Sequence, residues 1–313
     1  MIVKFKITDS GAKKVTNSDY NWLVLQEASD EELQEVVKEY QLPKDIFVGG
    51  DEAEEISHYE KLSNDILGEV TILSLMNLAK NFEMRIEERL EPLIFVFAKE
   101  LIITFVGDNS QFMEEFIERY GQRITKEEYL CAYIIKLTYT HYLKELTRLK
   151  KEIDSLDKAA RTTTENKELF RLADTQRILV YLDNTLQGQK QTLNYLWEET
   201  DFPEKLANPN LLYNIRLRQA HAEEHVLIYR DLLETIGGLF SDMMSNHLNH
   251  LMKYLDSATL VISIPALIGG IWGMNTGGLP GKETKLGFYF VLLLAFILSV
   301  ITAIHLKRKD FTK

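Results

Sequence analysis

The sequence predicts an α+β domain, then one long stalk helix, then a two-helix transmembrane region. Three observations predict it. Charge is segregated: residues 1–256 carry nearly all the acids and 257–306 carry almost no charge, so an overall 45% hydrophobic and 27% charged composition averages two unlike parts. Alternating and apolar runs in the first 110 residues read as strands. Beyond about residue 110 the periodicity becomes helical, with almost no Gly or Pro until Pro203.

The elements follow in order. IVKFKI (2–7) and NWLVLQ (21–26) are rich in β-formers. Ser29 is placed to cap a helix over DEELQEVVKEY, whose acids fall in the first turn, where they oppose the helix dipole, and Pro43 follows it. ILGEVTILSLM (66–76) reads as a strand, and PLIFVFAKELIITFV (92–106) as a hairpin. Residues 1–110 thus form a mixed α/β domain. Residues 125–157 and 166–199 read as two long amphipathic helices with a polar turn between them, an antiparallel hairpin within 111–208.

Asn208-Pro209 opens a third helical pattern, with no further proline until Pro265. It is expected to supply a stalk over 209–256 and to run on into the membrane. Gly237-Gly238 is its weak point, at a cost of about 1 kcal/mol per Gly. Close packing and a bend used in gating are both open readings there.

SATLVISIPALIGGIWGM (257–274) is uncharged, and LGFYFVLLLAFILSVITAIHL (286–306) carries only His305. About 20 apolar residues match the thickness of a bilayer core. The membrane helices are placed at 257–275 and 287–306, joined by a loop at 276–286. The tail 307–313 opens with Lys307, Arg308 and Lys309, and basic flanks stay inside. Both termini are then cytoplasmic and the loop faces outward. The start MIVKFKITDSGAKK lacks the apolar core of a signal peptide, in keeping with a cytosolic N-terminal part.

The net charge of −11 argues against nucleic acid as a partner, since phosphate binding needs a basic face. An acidic surface suits divalent cations or serves solubility alone. The single Cys131 forms no internal disulfide, which suits a reducing compartment. His221-Ala222-Glu223-Glu224-His225 matches a zinc-peptidase pattern, but the chain downstream of it is stalk and membrane rather than a cleft with a third ligand, so no enzyme is expected. No nucleotide motif appears, and no cofactor is expected.

The two spans differ. Along the first, Asn249, Met252, Asp256, Thr259, Ser263, Ala266, Gly270 and Gly273 recur at alternating spacings of three and four, tracing one helix face. Met252 apart, that face is small or polar. Tight helix packing explains such a face; so does a pore lining, which needs a ring of copies because two helices enclose nothing. In a ring, Leu255 beside the stripe would form an apolar constriction that gates by dewetting.

The stripe ends at Gly273-Met274-Asn275, inside the nearly uncharged loop IWGMNTGGLPG (271–281). Gly-Met-Asn after an aromatic residue, here Trp272, at the outer end of the first of two C-terminal spans resembles the CorA magnesium transporters. NHLMKYLDSATLVISIP (249–265), the short loop and the basic tail carry the same resemblance. It implies a funnel-shaped homopentamer with a cytosolic α/β domain, embedded in the plasma membrane. It also implies magnesium influx driven by membrane potential, with cobalt and nickel as further cargo. Asn249, Met252 and Leu255 would line the narrow inner pore, and Asn275 would contact the hydrated ion. Neutral amide and carbonyl oxygens suit magnesium, which keeps its waters and must be released again.

Cytosolic magnesium closes members of this family by binding between subunits. Asp51 and Glu52, with Glu54 and Glu55, are candidate regulatory ligands, as are Asp231, Glu234 and Asp242. The loop departs from expectation in pairing Lys282 and Lys285 with only Glu283. Asp256 stands where a neutral residue is expected, either as a cation-attracting ring or as an outward-facing capped acid. A proton-coupled zinc transporter of the related ZntB type is the alternative; that branch usually varies the middle Met, which this chain keeps. A membrane-anchored scaffold without transport is the third reading.

Overall fold

The structure, a computed structural model, describes residues 1–44, 46–47, 57–107, 111–163, 165–274, 277–279, 281 and 284–308. Asp51, Glu52, Glu54, Glu55, Asn275, Lys282, Glu283 and Lys309 lie outside the described residues. The chain divides into two compact units: Met1–Ala159 with Asn166–Ile236, and Ala160–Glu165 with Gly237–Lys313.

The first unit is built on a seven-stranded sheet in the order β2-β1-β3-β7-β6-β5-β4. The strands are β1 (Ile2–Thr8), β2 (Gly11–Val15), β3 (Trp22–Gln26), β4 (His58–Asn64), β5 (Gly68–Leu78), β6 (Leu90–Phe97) and β7 (Ile102–Val106). Neighbours pair antiparallel except β3 with β7, which run parallel, Leu23 opposite Ile103. A parallel pair needs a long crossover, and the chain between Gln26 and Ile102 supplies it.

Helix α1 (Asp30–Glu39) begins as predicted. The Glu32 amide donates to Ser29 Oγ at 3.3 Å, and the Ser29 amide donates to Glu32 Oε2 at 3.0 Å, a reciprocal capping box. Its Val36 joins one core with Leu23, Leu25, Val70, Ile72, Ile94, Val96 and Phe105. Strand residues alternate faces, so Trp22, Leu75, Leu93 and Phe95, buried to the same degree, lie on the other face of the sheet. There the Trp22 ring meets Phe116 of α3 (Phe112–Tyr120) edge-on at 6.3 Å, and its indole N–H donates to Thr104 Oγ1 at 2.9 Å. With both faces covered, β6 reads from Pro92 to Phe97 as a continuous apolar run rather than an alternating one.

After the one-turn α2 (Ile86–Arg89), the long helices are α4 (Glu127–Ala160) and α5 (Asn166–Glu198). The buried side of α5 runs through Leu172, Thr175, Leu179, Leu182, Leu186, Gln189, Leu193 and Leu196, a helical stripe. Following the short α6 (Phe202–Leu206), helix α7 (Pro209–Trp272) opens with proline at its first position, and Asn208 Oδ1 accepts from the Leu211 amide at 3.0 Å. Within the first unit α7 buries Leu211, Ile215, Gln219, Ala222, Val226, Tyr229, Leu233 and Ile236, again at spacings of three and four.

The second unit holds the rest of α7 and helix α8 (Lys285–Arg308). Both are long and apolar enough to cross a membrane. α7 is one helix through Gly237-Gly238, where a Cβ added at Gly238 would meet nothing within 4 Å. The fold is therefore the expected one: a soluble α/β part, a long helix and two C-terminal apolar helices.

Candidate ion-conduction helix

Exposure within the second unit sorts the residues of α7 into two rows. The partly covered row is Ser257, Ala258, Val261, Ile264, Ile268 and Trp272. On α8 the covered row is Gly287, Val291, Ala295, Ser299, Thr302 and Leu306, with Ala295 only 8% exposed. These are the least exposed rows of the two apolar helices, and reciprocal shielding accounts for both, with branched and aromatic side chains on one and mainly small ones on the other.

The stripe read from the sequence is the other row. Asn249, Met252, Asp256, Thr259, Ser263, Ala266, Gly270 and Gly273, with Leu255 beside them, are all exposed. Val261 and Gly270 are nine residues apart, which at 3.6 residues per turn is about 180° around the helix. The small and polar row thus lies opposite the row that α8 covers. A Cβ added at Gly269 or Gly270 would meet nothing within 4 Å, so no packing inside one chain requires these glycines.

The hydroxyls on this row are anchored. Thr259 Oγ1 donates to the Leu255 carbonyl at 2.8 Å, and Ser263 Oγ donates to the Leu260 carbonyl at 2.9 Å. Each spends its proton on its own helix and keeps lone pairs free to accept. Acceptors are what the water shell of a hydrated cation requires. Pro265 lacks an N–H, so the Val261 carbonyl loses its helix partner, on the α8 side.

The outer end is tightly wound. The Gly273 amide donates to Gly269 O at 2.9 Å, and the Met274 amide to Ile271 O at 3.2 Å, a 3₁₀-type closing bond. A Cβ at Gly273 would stand 3.1 Å from Gly269 O. Asn275, the predicted selectivity residue, lies outside the described residues. Past it, Gly278 (φ +95°) and Gly281 (φ +77°) occupy the left-handed region that glycine permits. Thr284 caps α8, accepting from the Gly287 amide at 3.2 Å and donating to Gly281 O at 3.0 Å. A Cβ at Gly287 would fall 2.0 Å from Gly281 O, so the loop closes directly onto the start of α8.

Asp231, Glu234 and Asp242 are exposed on α7, and Asp231 Oδ1 lies 3.7 Å from Arg230 Nε. Among the described residues no group of three His, Cys, Asp or Glu could hold a metal ion within one chain. The His221 and His225 rings are 6.3 Å apart, and His225 stacks on Tyr229. Glu223 between them pairs with Lys190 at 2.8 Å.

Two charged clusters in the first unit escaped sequence reasoning. Arg89, 3% exposed, forks onto Glu145, 1% exposed, with bonds of 3.1 and 2.9 Å, and Arg148 adds two more at 3.1 and 2.6 Å. Burial raises the Glu145 carboxyl, but the two guanidinium groups outweigh it and hold it below the usual range. His141 Nε2 lies 3.1 Å from Glu115, which also pairs with Lys80. Burial pushes the His141 imidazole down to about 4 against the opposing pull of Glu115. No motif marks either cluster, because the partners lie on different elements far apart in sequence.

The family model described as CorA-like Mg2+ transporter protein matches residues 17–308. The chain belongs to this family. Its members are transporters, so a magnesium or cobalt transport role, rather than an enzymatic one, is what membership supports. The cobalt/magnesium transport protein CorA of Thermotoga maritima is 24% identical over 248 residues, which is 77% of this chain and 69% of that protein. The complete CorA magnesium transporter structure from Methanocaldococcus jannaschii superposes with a TM-score of 0.77 at 19% identity, covering 98% of each chain. The ZntB cytoplasmic domain from Vibrio parahaemolyticus superposes with a TM-score of 0.62 at 10% identity, covering 78% of this chain and 98% of that one. At these identities the two superpositions carry the fold alone.

Proposed function

We propose that copies of this chain assemble into a homopentamer in the plasma membrane, with both termini cytoplasmic. The exposed row of α7 then lines a central path for magnesium influx. The observation that carries this reading is the placement of that row about 180° from the face α8 covers. Every residue on it becomes a ring of identical groups, and the anchored hydroxyls of Thr259 and Ser263 present acceptors toward the axis. Met252 and Leu255 form the apolar constriction at the inner end; Gly273, Met274 and Asn275 form the outer selectivity ring. An inside-negative potential contributes roughly 4.6 kcal/mol per 100 mV for a divalent ion, at about 2.3 per charge.

Cytosolic magnesium closes the path by bridging neighbouring copies. The regulatory acids are drawn from Asp231, Glu234 and Asp242 on α7 and Asp51 and Glu52 in the N-terminal part. Among the described residues Asp231, Glu234 and Asp242 belong to no metal-holding group, and the proposed bridge draws its ligands from two copies.

The test is magnesium uptake into proteoliposomes under an inside-negative potential without a pH gradient, wild type against Asn275→Ala. Uptake that follows voltage and collapses in the variant supports the reading, and parallel cobalt and nickel uptake measures the breadth of cargo. Equal flux in both refutes selection at that ring. Flux of zinc that requires a proton gradient would favour the ZntB-type mechanism instead.

A further inference from the structure

Asp256 is the only carboxylate between Met252 and Met274, and it immediately precedes the uncharged run 257–274. It stands deep inside α7, far from Pro209, so it caps no helix N-terminus. Its side chain is exposed, on the row opposite the α8-covered face. Among the described residues it makes no hydrogen bond or ion pair.

Each of these facts is a cost. Aspartate is a poor residue for a helix interior. A carboxylate at the edge of an apolar layer is disfavoured unless something neutralises it. In a ring of copies the cost grows, because like charges converge on one axis. A mobile divalent cation offsets all three at once. The carboxylates need not strip the ion, since magnesium keeps its waters and a carboxylate can accept from them.

We propose that Asp256 sets the conduction rate by concentrating hydrated divalent cations at the inner mouth of the path, one turn from Met252 and beside Leu255. The proposal rests on the pore-lining reading of α7. It makes Asp256 an electrostatic element of conduction, distinct from the neutral outer ring that selects the ion. A mouth lined by one sign of charge raises local counter-ion concentration by on the order of 10- to 1,000-fold, and salt screens the effect.

The experiment uses the full chain in proteoliposomes, with magnesium uptake driven by an inside-negative potential, for wild type, Asp256→Asn and Asp256→Glu. At low ionic strength Asp256→Asn is expected to slow initial uptake about tenfold, at the low end of that range. Asp256→Glu should restore it. The gap should close near 1 M choline chloride, where the screening length is about 3 Å. Should the Asn variant fail to elute as the wild-type oligomer, Asp256→Ser removes the same charge and is read in its place. Wild-type rates in the neutral variants at low salt would overturn the proposal while leaving the conduction reading intact. No uptake by well-folded wild type would overturn both.

Discussion

Glu145→Ala should be among the most destabilising single changes in the first unit. The wild-type carboxylate is 1% exposed and accepts two bonds from Arg89, itself 3% exposed, and two from Arg148. Removing it leaves the Arg89 guanidinium buried with the Ala79 carbonyl at 3.1 Å and the Phe82 ring face at 4.9 Å as its remaining partners. Breaking one side of a buried pair costs about 3–5 kcal/mol, a large share of the roughly 5–15 kcal/mol that holds a domain together. The cost comes from the stranded charge rather than from the bond itself. Arg89→Met with Glu145→Leu, which removes both charges and keeps the volume, should therefore recover most of the loss. The assay is urea unfolding of the full chain in detergent, followed by the fluorescence of buried Trp22 and Trp197. A Glu145→Ala variant within about 1 kcal/mol of wild type, or a double variant worse than the single one, would show that no stranded charge sets the cost.

Three further outcomes are expected. His141 titrates near 4 in the folded chain and near 6.5 when unfolded; the unfolded state thus binds the extra proton first as pH falls. Stability from this group is intact above pH 6.5 and declines by roughly 3 kcal/mol as pH drops to about 4, and His141→Gln should flatten that slope in a pH series of unfolding curves. Ser29→Ala should cost about 1 kcal/mol by opening the capping box, without affecting transport. Gly287→Ala places a methyl 2.0 Å from Gly281 O, so the loop must shift. A loss of about 1–3 kcal/mol and a drop in magnesium uptake are expected; wild-type uptake would show that the path does not depend on this junction.

The elements most readable from the sequence were those whose residues carry their own local signal. Ser29 and Glu32 announce the start of α1, and Asn208-Pro209 announces α7. The uncharged runs announce the two apolar helices because a bilayer demands length and composition together. Strands β2 and β4 went unread for the same kind of reason. GAKKV and HYEKLSN are edge strands whose exposed lysines and polar residues suppress the alternating pattern. The parallel pairing of β3 with β7 depends on a long crossover, and nothing in either strand encodes its partner. On α7, periodicity alone found the small-residue row and pointed toward a pore lining, with packing still open. What the sequence lacked was the exposure of each residue, which sets the less exposed row of α7 on the opposite side. Asp256 shows the same limit: residue type leaves an outward-facing capped acid and a cation-attracting ring both standing.

On the proposed path, the exposed small-residue row of α7 faces the ion. Ala266 lies on that row and Ile268, two residues on, lies on the covered one, about 200° around the helix. Native Cys131 is 2% exposed, with burial pushing its thiol far above the ordinary range, so wild type is a silent background. Single cysteines at these two positions, treated with a small, positively charged thiol reagent during magnesium uptake, give the most direct measurement. Block of Ala266→Cys with unaltered flux through Ile268→Cys is the expected result. Block at Ile268→Cys with Ala266→Cys untouched would contradict it.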